Sequence, residues 1–209
     1  MARIQTDPWP VLPAGELSRP VVFVVDMING FIKEGALADS GIQACLAPLV
    51  TLLEELKLPA VFIRDAHDPQ AREFEAFPVH YLKGDTESEI VSELQKYADR
   101  IVEKNSTNAF LAPEFQKLLP ELEMYEDWIV TGCCTDICVM QFALCLQGWL
   151  NQNNLKGRRV IVPVSCVDTY EAPGHNAKSY NEAAFSLMEL AGIHVVSRIA
   201  LENEKEKVI

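Results

Sequence analysis

Three side chains suited to covalent catalysis stand far apart in the sequence, each close behind an apolar run. Asp26 closes VVFVVD, Lys104 follows IVE, and Cys138 lies in GCCTDICV. A carboxylate can move protons, a cysteine can attack a carbonyl carbon, and a lysine can hold both charges in place. Taken alone, each residue also has an ordinary interpretation: a strand-end carboxylate, a solvated lysine or a buried structural thiol. The pattern favours Cys138 as a nucleophile, and these alternatives stay open.

The segment around Cys138 joins a predicted strand to a predicted helix. Thr135 is a suitable N-cap, which places Cys138 in the first helical turn. There the helix dipole and the free backbone N–H groups favour a thiolate. The same N–H groups can stabilise the oxyanion of a tetrahedral intermediate. We interpret four further cysteines as structural thiols: Cys133, Cys134, Cys145 and Cys166.

A second group of polar residues lies in the segment RDAHDPQAREFEAFPVHYLKG. Its potential ligands are Asp65, His67, Glu73, Glu75 and His80. Carboxylates and imidazoles together suit a divalent ion such as zinc, manganese or iron. The segment therefore predicts a metal site, with a solvated acidic loop as the alternative.

Short apolar runs alternate with longer amphipathic stretches and must bring these residues together. The runs cover residues 20–26, 59–64, 101–103, 128–132, 159–164 and 193–197, and they are apolar on both faces, which is typical of buried parallel strands. We predict a single doubly wound α/β domain with a six-stranded, mainly parallel sheet and helices on both faces. Ligands of such sheets bind beyond the carboxyl ends of the strands. All the candidate residues follow strands at that edge.

Two helical segments and the remaining histidines complete the prediction. A helical face is formed by Ile42, Cys45, Leu46, Leu49, Leu52, Leu53 and Leu56. Pro48 should confine the regular helix to the residues after it. The loop APGHN leads into the last long helix, with Asn176 or His175 near its cap. We interpret His175 and His194 as structural residues.

The composition narrows the classes of function. The chain has 209 residues and a net charge of -12, which argues against nucleic acid or an anionic membrane as a partner. No apolar run spans a bilayer, and the first residues lack the apolar core of a secretion signal. Six cysteines without disulfide spacing indicate reduced thiols and a cytoplasmic location. Residues 1–19 read as an N-terminal arm, 20–209 as the domain, and ENEKEKV as a solvated tail. A homo-oligomer is left open.

Five motifs together resemble those of the isochorismatase-like cysteine hydrolases, and within that family the nicotinamidases. They are VVDMINGF, RDAH, FPVHYLKG, EKNSTNAF and VTGCCTDICV, in family order from about residue 20 to residue 197. The resemblance implies that Cys138 is the nucleophile, that Asp26 takes its proton, and that Lys104 stabilises the charged pair.

The resemblance also implies a metal-ligand set. Asp65, His67 and His80 match the family's Asp-x-His pair and its later histidine. Glu73 is the implied fourth ligand, with Glu75 as the runner-up. Zinc is the expected ion, with manganese and iron as alternatives.

Further features of the site follow from the same resemblance. It implies a cis peptide between Cys133 and Cys134, and an oxyanion hole formed by the backbone N–H groups of Cys134 and Cys138. Phe31 and Phe77 are similar to the rings that enclose a pyridine in nicotinamidases. Nicotinamidases often carry Trp where this chain has Phe77, so the ring preference is open.

The implied reaction is hydrolysis of nicotinamide to nicotinate and ammonia through a thioester on Cys138. Isochorismatases proper lack the nucleophilic cysteine, so Cys138 argues against that activity. Related hydrolases of carbamoyl amides keep the cysteine but lack the metal motif. Two alternatives stay open: an amidase acting on another small amide, and a catalytically silent binding protein.

Overall fold

A computed structural model describes residues 9–200, in which strands and helices alternate along the chain. The strands are β1 Val11–Pro13, β2 Val21–Val25, β3 Ala60–Asp65, β4 Ile101–Lys104, β5 Asp127–Gly132, β6 Arg159–Pro163, β7 His194–Val196 and β8 Arg198–Ala200. The α-helices are α1 Asn29–Ile32, α2 Leu46–Leu56, α3 Pro113–Leu122, α4 Met140–Gln152 and α5 Ala177–Leu190. None of the helices in the described residues is long and apolar enough to cross a membrane.

The central sheet has six strands in the order β4-β3-β2-β5-β6-β7, and every neighbouring pair is parallel. This confirms the predicted α/β fold. The strand order reverses between β2 and β5, because the chain first builds outward to β4 and then returns to the other side of β2. Such a reversal leaves a crevice at the carboxyl edge of the sheet. The predicted catalytic residues follow strands at this edge.

Helices cover both faces of the sheet, as predicted. On one face, α3, α4 and α5 bury Phe115, Phe142 and Phe185 against the strands. On the other face, α2 buries Leu49 and Leu53. β2 is buried along its whole length, which explains why its sequence shows no alternation of polar and apolar residues. The two cores hold the carboxyl ends of the strands rigidly under the crevice.

Pro48 lies inside α2 instead of preceding it. The helix begins at Leu46 after a 3₁₀ turn over Ser40–Cys45. Pro48 is the third helical residue, where a backbone N–H has no intrahelical acceptor and its loss costs little. The prediction that the regular helix starts only after Pro48 was therefore wrong by about one turn.

The described part of the predicted N-terminal arm packs on the domain. β1 pairs in parallel with β8, and the backbone N–H of Ser197 donates to the carbonyl of Pro10 over 2.8 Å. Trp9 meets Phe185 edge to face, with ring centroids 4.9 Å apart. Residues 9–13 are thus tied to the domain through a separate two-stranded sheet of β1 and β8. Residues 1–8 and the predicted tail from residue 201 lie outside the described residues.

Gly132 ends β5 at a place that admits no side chain. Its φ is +106°, and a Cβ at this position would lie 1.9 Å from the carbonyl oxygen of Val25. Only glycine meets both conditions. The close approach of β5 to β2 brings the segment after Gly132 next to the residue after Val25, which is Asp26.

Replacing Gly132 by alanine should therefore destabilise the protein strongly. We expect Gly132→Ala to lower the free energy of unfolding by about 3 kcal/mol or more, because the new Cβ meets rigid backbone at a positive φ. Gly148 is the matched control, since it lies in α4 with open space around it. Gly148→Ala should raise the free energy of unfolding by about 0.5–1 kcal/mol. Urea denaturation measures both, and equal effects of the two exchanges would contradict this account.

Candidate active site

The structure brings Asp26, Lys104 and Cys138 together at the carboxyl edge of the sheet. The ammonium nitrogen of Lys104 lies 2.8 Å from a carboxylate oxygen of Asp26 and 3.8 Å from the sulfur of Cys138. All three side chains are buried. Asp26 follows β2, Lys104 ends β4, and Cys138 lies in the turn after β5. Three separate strands thus deliver an acid–base group, a cation and a thiol to one point.

Asp65 completes the buried cluster. Its Oδ1 accepts a 2.6 Å hydrogen bond from Lys104, and its backbone N–H donates to Oδ1 of Asp26 over 2.9 Å. Lys104 is therefore held between two carboxylates. The pairing follows from the register of the sheet, because Asp65 and Lys104 are direct partners across β3 and β4.

Burial controls the protonation of the cluster. It raises the pKa of Asp26 to about 7, with the charge of Asp65 adding to the effect and Lys104 opposing it. Burial alone would lower the pKa of Lys104, but Asp26 and Asp65 outweigh it and raise that pKa well above its usual value. Lys104 therefore stays a cation. Asp26 is poised to exchange a proton near neutral pH.

The resting form of Cys138 differs from the sequence expectation. Burial raises the pKa of Cys138 well above its usual value, although the nearby charge of Lys104 lowers it. The helix N-terminus therefore does not keep Cys138 as a thiolate by itself, because desolvation of the anion outweighs it. The thiol needs a base within reach, and Asp26 occupies that position.

The turn that carries Cys138 is a π-helical turn over Thr135–Val139, which runs into α4. The backbone N–H of Val139 donates to the carbonyl of Cys134. Cys134 is the cap residue and makes no side-chain capping bond, so the prediction of Thr135 as N-cap was wrong. Cys138 does lie in the first helical turn. Turns of this kind are frequent at functional sites.

The peptide between Cys133 and Cys134 is cis, as the motif resemblance implied. Cys133 and Cys134 are both buried, and all six cysteines are free thiols. Cys134 lines the cavity described below. The assignment of its N–H and that of Cys138 to an oxyanion hole stays a prediction.

His67, Glu73 and His80 converge beside the catalytic cluster, with their ligand atoms within 4.8 Å of one another. Nδ1 of His80 lies 2.6 Å from the carbonyl of Pro78, which can only accept, so this nitrogen is the donor. Nε2 of His80 then presents its lone pair. A metal-binding imidazole has this orientation, with its second nitrogen held by the protein.

His67 is oriented in the same way. Its Nδ1 lies 3.2 Å from Oδ1 of Asn105, an oxygen that also accepts from the backbone N–H of Asp68. Nδ1 is therefore the donor, and Nε2 carries the lone pair. Nε2 is buried and has no hydrogen-bond partner among the described residues. A buried acceptor without a partner is costly, and a divalent ion at this point would satisfy it.

The structure distinguishes the two glutamates. The side chain of Glu73 is 14% exposed and lies 3.9 Å from Nε2 of His80. That of Glu75 is 78% exposed and faces Arg72. The cluster therefore takes Glu73. Asp65 lies between the two groups, with Oδ1 3.6 Å from Nε2 of His67 and 2.6 Å from Lys104. Its role as a metal ligand stays a prediction.

A cavity of about 260 Å³ joins the two groups. Its lining includes Asp65 of the buried cluster, Cys134 and Ile137 at the turn that carries Cys138, and Glu73 and His80 of the candidate metal cluster. Its size is at the lower limit of ligand pockets, which suits a small molecule. The cavity is thus open both to the turn that carries the thiol and to the candidate metal cluster.

Both aromatic residues implied by the resemblance line this cavity: Phe31, which is buried, and Phe77, which is 40% exposed at the surface. The sequence analysis missed four other polar or aromatic lining residues, namely Asp39, Thr107, Tyr170 and Glu171. They lie in three different stretches of loop, and no local motif marks them. Only the fold brings them to one place.

The lining of the cavity is acidic. Four carboxylates line it, from Asp39, Asp65, Glu73 and Glu171, and none of the lining residues in the described part of the chain is Lys or Arg. Lys104 lies beneath it and is almost fully buried. The protein itself therefore offers a ligand carboxylate no Lys or Arg partner in this described lining.

Comparison with known proteins identifies the family of this fold. The family model of the isochorismatase domain matches residues 20–199, and the chain belongs to the isochorismatase family of hydrolases. It is 27% identical to nicotinamidase 1 of Arabidopsis thaliana, over 86% of each protein.

Solved structures show the same fold at low identity. A pyrazinamidase of Pyrococcus horikoshii in complex with zinc has a TM-score of 0.67 at 22% identity, covering 86% of this chain and 99% of that one. N-carbamoylsarcosine amidase of Thermoplasma acidophilum has a TM-score of 0.67 at 24% identity, covering 86% and 96%.

Metal content should depend on Glu73 and not on Glu75. Protein purified without chelator and loaded with zinc should hold about one ion per chain. Glu73→Gln, His67→Ala and His80→Ala should each weaken zinc binding at least about tenfold, because each removes a ligand. Glu75→Gln is the matched control and should bind zinc like the parent protein. Elemental analysis at a buffered zinc concentration measures this. Equal loss in both glutamate variants, or none in the histidine variants, would contradict the site.

Proposed function

We propose that this protein hydrolyses nicotinamide to nicotinate and ammonia through a thioester on Cys138. One observation carries the proposal: a small cavity joins the turn of a buried Asp–Lys–Cys cluster to a cluster of two histidines and a glutamate. The first cluster suits cleavage of an unactivated amide. The second suits an ion that binds a ring nitrogen. Nicotinamide presents an amide and a ring nitrogen to the two ends of such a cavity.

The first half of the reaction forms the thioester. Asp26 accepts the proton of the Cys138 thiol, and the cation of Lys104 stabilises the two negative charges during the transfer. The sulfur attacks the amide carbon, and the backbone N–H groups of Cys134 and Cys138 receive the oxyanion. Asp26 then gives its proton to the departing nitrogen. The carbon–nitrogen bond breaks, and ammonia leaves.

The second half regenerates the thiol. Asp26, again ionised, takes a proton from a water molecule that attacks the thioester carbon. The carbon–sulfur bond breaks, nicotinate is released, and the proton returns to the sulfur of Cys138. A pKa of about 7 suits Asp26 to both directions of transfer near neutral pH.

The divalent ion has an orienting role in this proposal. Held by His67, Glu73 and His80, with zinc as the first choice and manganese or iron as alternatives, it would supply a Lewis acid for the lone pair of the ring nitrogen. Phe31 and Phe77 would contact the faces of the ring.

The charge of the cavity supports a neutral amide as the substrate. An N-carbamoyl amino acid carries a carboxylate, and no Lys or Arg among the described residues lines the cavity to bind it. Isochorismate carries carboxylates as well. Nicotinamide is neutral. The lining therefore favours nicotinamide over the charged substrates of related enzymes.

A substrate panel tests the proposal. On zinc-loaded enzyme, kcat/KM for nicotinamide should exceed that for benzamide by roughly 10–100-fold, because benzamide has the same shape but no ring nitrogen. An N-carbamoyl amino acid should be hydrolysed more slowly than either. Ammonia release measures all three. Equal values for nicotinamide and benzamide would remove the ring-nitrogen contact, and preference for the carbamoyl compound would assign another amidase activity to the same catalytic cluster.

The roles of Asp26 and Cys138 are tested by substitution. Cys138→Ala removes the nucleophile, and Asp26→Asn removes the base while keeping the side-chain shape, so each should lower kcat about 10³-fold or more. Cys145→Ala is the control, because Cys145 lies on α4 and its sulfur contacts Asn108 instead of the cluster. It should keep normal turnover. A near-normal kcat in Asp26→Asn, with the fold intact by circular dichroism, would exclude Asp26 as the base.

A further inference from the structure

One wall of the cavity is a loop between β6 and α5. Tyr170, Glu171 and Ala172 of this loop line the cavity. The loop turns back at once, because Ala172 and His175 exchange backbone hydrogen bonds of 3.0 and 2.9 Å. We call residues 169–175 the wall loop. None of its residues has a part in the proposed chemistry.

The wall loop contains a stack of three rings. His175 lies between Tyr170 and Tyr180, with ring centroids 3.9 Å apart on both sides and interplanar angles of 6° and 26°. Tyr180 belongs to α5. Tyr170, which lines the cavity, is therefore connected to α5 through the ring of His175.

Both nitrogens of His175 face hydrogen-bond acceptors. Nδ1 lies 2.9 Å from the carbonyl oxygen of Tyr170, and Nε2 lies 2.8 Å from a carboxylate oxygen of Asp136. A carbonyl and a carboxylate only accept, so both contacts are satisfied together when both ring nitrogens carry a proton. A cation between two tyrosine faces is further stabilised by their electrons. The side chains of His175 and Asp136 are only 11% and 9% exposed, so water screens this pair weakly.

Asp136 connects the wall loop to the turn that carries the nucleophile. It lies two residues before Cys138 in that turn. Its second carboxylate oxygen accepts a 2.5 Å hydrogen bond from the hydroxyl of Thr169. One carboxylate thus holds the wall loop at two points. The sequence interpretation placed His175 or Asn176 near the cap of α5, and the structure assigns the cap to Asn176, whose side chain accepts from the backbone N–H of Ser179.

We propose that the His175–Asp136 pair is a clasp that holds Tyr170 in place as a wall of the substrate cavity. His175 and Asp136 are then positioning residues. Tyr170 determines specificity for a flat ring. This inference rests on the proposed function for its substrate. It assigns a role to three residues that the proposed reaction does not use.

The clasp acts on the wall more than on the nucleophile. Cys138 is held independently by its contact with Lys104, and the backbone N–H of Thr135 donates to the carbonyl of Asp168. Outside the clasp, the wall loop is anchored through Glu171, whose backbone N–H donates to Asp39 and whose carboxylate accepts from the backbone N–H of Ala177. The ring of Tyr170 stacks directly on His175, so its position depends on the clasp more than that of Glu171 does. Loss of the clasp should therefore weaken substrate binding and leave the chemical step nearly unchanged.

The test uses His175→Phe, which keeps a ring in the stack but removes both N–H donors, and Asp136→Asn, which keeps the side-chain size. The matched control is His194→Phe, at the exposed first residue of β7. In zinc-loaded enzyme we expect each clasp variant to raise KM for nicotinamide about tenfold, as for loss of one charged hydrogen bond, with a much smaller change in kcat. The double variant should raise KM by less than the product of the two single effects, because both single variants remove the bond between His175 and Asp136.

Hydrogen exchange of residues 169–175, followed by mass spectrometry, gives a readout that needs no substrate. It should be faster in both clasp variants and unchanged in His194→Phe. Unchanged KM and unchanged exchange would overturn the clasp, and so would a loss of kcat at constant KM or multiplicative effects in the double variant. If the parent protein does not hydrolyse nicotinamide, the proposed function fails, and the exchange data alone then decide whether the clasp exists.

Discussion

The candidate active site depends on the burial of three ionisable side chains at the carboxyl edge of the sheet. Asp26, Asp65 and Lys104 are each almost fully buried, and burying an isolated ion costs several kcal/mol. The cost is offset only because Lys104 lies within 2.8 Å of both carboxylates. That geometry requires β2, β3 and β4 to end at the same level, in one register. A slip of one residue along β4 would point Lys104 to the other face of the sheet and leave both acids unpaired.

Much of the fold and part of the site could be predicted from sequence, because strand-end residues of a parallel sheet meet at one edge. Asp26 and Lys104 were placed in this way. The protonation state of Cys138 could not be predicted from sequence, because the burial that raises its pKa depends on the packed core. Thr135 was assigned as a cap from its residue type, but the chain forms a π-helical turn there.

The wall of the cavity shows a different limit of sequence reasoning. Glu171 and Asp39 belong to no motif, and a loop–loop hydrogen bond joins them across 132 positions of the chain. His175 looked like a helix-entry residue because its neighbour Asn176 is one. Its partner Asp136 lies 39 positions away. Contacts of this kind become visible only when the loops are placed in three dimensions.

The pairing of β2 with β5 also has a kinetic consequence. It joins Phe23 to Thr131 across 108 positions of the chain, and strand pairs so distant in sequence form slowly because a long loop must close first. Asp26 and Cys138 lie just beyond these two strands, so they stay apart until the central strands have paired. During synthesis and folding the thiol therefore has no adjacent base until β2 and β5 have paired.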